Sequence, residues 1–148
     1  MTSLFEPTAN RKVTQRIDRL TPQHGPRWGR MSVGEMVCHL NDYFDVALGR
    51  VTAKPIGNTI TRALGRWIAI YLPLPWPRNI RTLPEFKATN PADFERDRSA
   101  LRANIHAFAE RKDQTDWPSN PAFGKLSSNQ WAVLAYRHLD HHLKQFGE

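Results

Sequence analysis

SSNQWAVLAYRHLDHHLKQFG, residues 127–147, decides the fold. Ser127 followed three residues later by Gln130 is a capping-box pattern, in which two side chains satisfy backbone N–H groups that the start of a helix leaves without partners. The spacing predicts a helix from here to Gly147, which supplies the C-cap. At about 100° per residue, Trp131, Ala135, His138 and His142 share one stripe flanked by Leu139 and Phe146, while Arg137, Asp140 and Lys144 fall on the far side. Two imidazoles therefore face the core at i and i+4, one above the other, within reach of a single metal ion. A lone histidine on an apolar face is usually satisfied by one hydrogen bond. Two in one dry stripe both need partners, and a shared metal answers that need.

A chain of 148 residues is most simply one domain, residues 1–148, long enough to bury a core without staples. Cys38 is the only cysteine, so no intramolecular disulfide forms. The opening MTSLFEPTANRKV has no apolar run behind a basic start, and a reducing, cytoplasmic location is expected. The longest apolar run, WIAIYLPLPW from Trp67 to Trp76, is half the roughly 20 residues a spanning helix needs and holds two prolines, so no membrane crossing is expected. Of the net charge of +7, the segment from Arg50 to Lys87 carries +6: Arg50, Lys54, Arg62, Arg66, Arg78, Arg81 and Lys87 against Glu85. No zinc-finger spacing, RNA-binding aromatic motif or glycine-rich phosphate loop accompanies it, which argues against nucleic acid. A solvated basic face is the plain reading, and an anionic small molecule the second.

Upstream, Thr8 or Asn10 is the expected cap of a helix running to about Leu20, with Val13 and Ile17 on its inner side. Ser32 and Glu35 form a second capping box, opening a helix to about Leu48 that Gly49 stops. Its stripe is Val33, Val37, Leu40, Phe44 and Ala47. His39 lies beside that stripe, but Met36, Tyr43 and Val46 make its own seam apolar, so it faces a neighbouring helix and offers the third nitrogen the pair lacks. The adjacent Cys38 points about 100° away, against a thiol–imidazole dyad. Asp42 and Asp45 project to the polar side and are expected in solvent. Thr59–Leu72 carries Ile60, Leu64, Trp67, Ile68 and Tyr71 at helical spacing before Pro73, Pro75 and Pro77 end it; packing of this face against the bundle, as a lid or side element, is expected rather than a membrane-surface helix. Asn90, with Pro91 at the first helical position, is the expected start of a last long helix to about Arg111.

Four long helices without a period-2 run argue for an all-α four-helix bundle, with an extra short helix and a proline-rich loop between its second and third members. RWGRMSVGEMVCHL at residues 27–40, NPAFGKLS at 120–127 and WAVLAYRHLDHHLKQFG at 131–147 resemble the DinB/YfiT-like superfamily, and more closely a branch of unknown function with the same ending. The resemblance implies a bundle whose core-facing histidines, here His39, His138 and His142, bind a divalent metal, zinc or nickel. It also implies kinship with transferases and isomerases that use low-molecular-weight thiols. Asn120 departs from the pattern, where related sequences often carry histidine.

Two functions follow as expectations. One is a metal-dependent transferase or hydrolase in which the open position beside three histidines polarises a thiol or water. His141, Gln145 and Tyr43 are then candidate partners around the ligands, and Arg62, Arg66, Arg78 and Arg81 candidate clamps for an anionic cosubstrate. The other is a non-catalytic module that binds a metal or a small ligand. A homodimer is compatible with both.

Overall fold

The computed structural model describes residues 1–79, 84–87 and 89–148. Its elements are α1 (Pro7–Arg19), α2 (Val33–Ala47), α3 (Thr59–Tyr71), a short 3-10 turn at Pro84–Lys87, α4 (Phe94–Ala109) and α5 (Ser128–Gln145). Among the described residues there is no strand, and the fold is the all-helical bundle expected. α2 packs on α4, α1 on α4 and α5, and α3 on α5. Leu4, Ile17, Leu40, Phe44, Phe108 and Trp131 lie at its centre without exposure. No helix among the described residues is long and apolar enough to cross a membrane.

The two capping boxes form as their spacing predicts. Ser32 accepts from the backbone N–H of Glu35, whose carboxylate accepts from the N–H of Ser32, and Ser127 and Gln130 repeat the exchange on α5. Two helix starts differ from expectation. α1 begins at Pro7, ahead of Thr8 and Asn10, with an extended Glu6 before it and no side-chain cap; the fixed φ of proline is already helical and its missing N–H costs nothing at the first position. α4 is capped by Asp93 rather than Asn90. The Asp97 carboxylate accepts from the N–H of Ala92 and so holds the chain before Asp93 out of the helix.

α3 reverses the expected packing. Ile60, Leu64, Trp67, Ile68 and Tyr71 are exposed, and Ala69 and Ile70 are the residues it buries. Small side chains explain the choice: Gly65 brings the backbone so near the Phe123 ring that an added Cβ would stand 3.4 Å from it. The helix end is tied down from α5. Arg137, expected on the outward side, donates to the carbonyls of Ile70, Leu72 and Leu74, groups that a helix terminus leaves unpaired. Trp76 folds back to donate its indole N–H to the carbonyl of Ala69.

Candidate metal centre

The three histidines meet. His39 of α2 and His138 of α5 are buried, and His142, one turn further along α5, is partly so. The Nε2 atom of His138 stands 3.0 Å from that of His39 and 3.1 Å from that of His142. Tetrahedral zinc with nitrogens at about 2.0–2.1 Å sets neighbouring ligand nitrogens about 3.3 Å apart, close to the spacing of these two pairs, and the three ligand atoms all lie within 4.8 Å of one another.

The outer nitrogens show what the inner ones offer. His39 Nδ1 lies 2.8 Å from the carbonyl oxygen of Phe86, which can only accept, so Nδ1 carries the proton and Nε2 a lone pair. Gln145 donates its amide to the carbonyl of Trp28 and thereby turns its own oxygen, 2.9 Å away, toward His142 Nδ1. His142 also presents a lone pair at Nε2. His138 has no such partner: its Nδ1 is buried without a hydrogen bond to the described residues. If its proton sits on Nδ1, three lone pairs face one another; if on Nε2, one proton serves two acceptors and Nδ1 stays bare. Neither neutral arrangement satisfies the cluster, whereas a cation accepts all three Nε2 lone pairs at once. The residues therefore fit a metal. Among the described residues these three are the group whose ligand atoms converge.

Burial, and then the neighbouring imidazoles, pushes His138 well below the ordinary histidine value and His142 down to about 3; burial likewise lowers His39. The sign of the stability effect follows. Each folded pKa is below its unfolded value of about 6.5, so the native state binds fewer protons, and the stability present above that pH is lost as pH falls toward the folded pKa. Metal-free protein should lose about 1.4 kcal/mol per pH unit below about 6.5 for each histidine that stays neutral. Urea midpoints at a series of pH values measure this; midpoints flat down to about pH 5 would mean that the three rings are hydrated in the native state.

A cleft of about 1340 Å³ opens beside the cluster, walled by Trp28, Met31, Ile68, Trp76 and Phe86. His141 is half-buried between two indoles, its ring 5.8 Å from Trp28 and 6.0 Å from Trp76. It faces the cleft and lies outside the nitrogen cluster. Tyr43 packs its ring 4.5 Å from that of His138, and its hydroxyl is buried without a partner among the described residues; burial raises its pKa.

Other expected positions are placed differently. Asp42, expected in solvent, is buried and accepts from the N–H and hydroxyl of Thr89, fastening to α2 the chain that follows the 3-10 turn. Asp45 is partly covered and pairs with Arg50. Cys38 points to Asp97, 3.6 Å away, and burial and that carboxylate raise the thiol to about 11, unsuited to a nucleophile. Of the four arginines, Arg62 and Arg66 donate to the carbonyls of Asn58 and Lys125. Arg78 lies 4.5 Å over the Trp28 ring, and Arg81 is outside the described residues. Arg30 and, from the basic segment, Lys87, neither of them among the expected clamps, line the cleft, and neither is in an ion pair among the described residues. Phe86 and Trp76 escape sequence reasoning as well, because their roles arise from irregular chain that carries no periodicity. Asn120, at the position where relatives often carry histidine, uses its side-chain oxygen to accept from the N–H groups of Ala122 and Phe123, closing its own turn.

Comparison with curated proteins and with solved structures gives no significant match. A family model described as the DinB superfamily matches residues 7–146. With that match spanning nearly the whole chain and metal-binding known in the family, the protein, a helical bundle with three converging imidazoles, belongs to the DinB superfamily.

Proposed function

We propose that the protein is a metal-dependent transferase or hydrolase with a divalent ion, zinc or nickel, held by His39, His138 and His142. The observation that carries this reading is the set of converging Nε2 lone pairs, which the buried neutral cluster leaves without protons to share. When bound, such an ion supplies Lewis acidity and lowers the pKa of a thiol or water at its open position. The chain's own residues do the rest. Phe86 and Gln145 fix two ligand rings by their outer nitrogens, which keeps the lone pairs aimed. Trp28, Trp76 and Phe86 give the cleft dry walls for an apolar group. Arg30 and Lys87 at the cleft attract an anion, such as the carboxylate of a small thiol. His141 stands in the cleft wall, where it can hydrogen-bond a bound molecule.

The test has two stages. Elemental analysis should find about one divalent ion per chain, the load of a single three-histidine site. Cobalt(II)-loaded protein should then change its visible spectrum on addition of glutathione or cysteine, and metal-loaded protein should consume the thiol against an aryl electrophile. A bound ion with no spectral response and no turnover would instead support a non-catalytic metal-binding module.

A further inference from the structure

Helix α3 presents an apolar face to the outside. Ile60 is 78%, Leu64 58% and Trp67 54% exposed, and Ile68 and Tyr71 are exposed beside them. These positions follow i, i+4, i+7, i+8 and i+11, so they form one stripe about three turns long. Ile56, also exposed, precedes the helix. A contiguous face of this kind is at the upper end of what an isolated chain leaves to water, and patches of that size are often functional.

Charge decides between occupants. An anionic lipid surface is met by an apolar stripe with cations on its flanks. On α3, Arg62 and Arg66 project about 160° from Leu64, away from the stripe, where they donate to backbone carbonyls of their own chain. The stripe itself carries no charge, as the centre of a protein–protein contact requires, and a patch that meets its own copy across a two-fold axis then meets no like charge. Its area is also of the right order. An aromatic side chain buries about 150–250 Å², so six large side chains exposed by about half come to about 600 Å² per chain, near the roughly 800 Å² per partner of a standard interface.

We propose that this face is the docking surface for a second copy of the chain, α3 against α3. Ile56 and Ile68 belong both to exposed apolar surface and to the lining of the cleft, so the second copy closes over the edge of the cleft that these two residues form. The closure is independent of the ion: sedimentation equilibrium of the full chain, metal-loaded and metal-free, should give the mass of two chains in both states. Leu64→Glu should give the mass of one chain with unchanged helical circular dichroism, since Leu64 supports no core packing. Ile68→Cys should react with a maleimide about tenfold or more slowly than the same cysteine in the Leu64→Glu background, the protection an opening free energy of about 1.4 kcal/mol confers; the native thiol, Cys38, is buried. A parent of single-chain mass overturns the proposal, and if that monomer floats with phosphatidylserine vesicles the face is a lipid-docking surface. Equal labelling in the two backgrounds overturns the closure of the cleft.

Discussion

His138→Ala combined with His142→Ala should abolish metal binding while leaving the helices formed. Both side chains project from α5, and alanine is the best helix former, so the substitutions do not threaten the helix. They remove two of the three nitrogens that converge within 3.0 and 3.1 Å. His39 alone, its ring held by the Phe86 carbonyl, makes a single-ligand site that micromolar metal does not fill. Elemental analysis after desalting, with circular dichroism as the folding check, reads the outcome. Retention of the ion in a folded double variant would place the site elsewhere. His141→Ala is the control: its ring lies between Trp28 and Trp76 rather than in the cluster, so metal content should stay at the parental level. Loss equal to that of His142→Ala would exchange the roles of these neighbours.

Trp131→Ala should be the most costly single change in the core, at about 3–5 kcal/mol. Trp131 has no exposure and is the largest of the fully buried side chains. Its ring contacts Trp117 and Tyr43 at centroid distances of 6.2 and 6.1 Å, and its indole N–H donates to the carbonyl of Pro118. Truncation therefore opens a cavity and also strands that carbonyl. Tyr43 stands between Trp131 and His138, so the cavity borders the packing that seats one ring of the histidine cluster. Urea unfolding of metal-free parent and variant measures the cost, and titration with zinc should show weaker binding by the variant. A loss below about 1 kcal/mol, close to the effect of surface substitutions, would mean that the neighbouring rings collapse into the space.

What is legible in the sequence is local. Ser32 with Glu35 and Ser127 with Gln130 mark their helix starts because both partners of each box lie within four residues. His138 and His142 are legible as a pair because helical geometry alone stacks residues i and i+4. His39 is readable to a lesser degree, from the apolar seam of Met36, Tyr43 and Val46, and the structure brings it to the pair across 99 residues. Where partners come from distant, irregular chain, periodicity is silent. Asp42 projects to the polar side of α2 and is nonetheless buried by Thr89. The carbonyls of Phe86 and Trp28, which set the ring orientations through His39 and Gln145, carry no side-chain signature at all. On α3 the spacing of the large apolar residues marks a stripe, yet that stripe is the exposed side rather than the buried one. The pattern of apolar residues locates a face, but Gly65 and Ala69 determine which face another part of the chain can approach closely.

Arg137 joins two parts of the molecule that are far apart in sequence. The guanidinium that gathers the carbonyls of Ile70, Leu72 and Leu74 belongs to the residue immediately before His138. The segment that carries Trp76 into the cleft wall is thus moored to the same helical turn that carries His138. A wall of the cleft and a ring of the histidine cluster therefore share one anchor, the α5 turn that carries both Arg137 and His138.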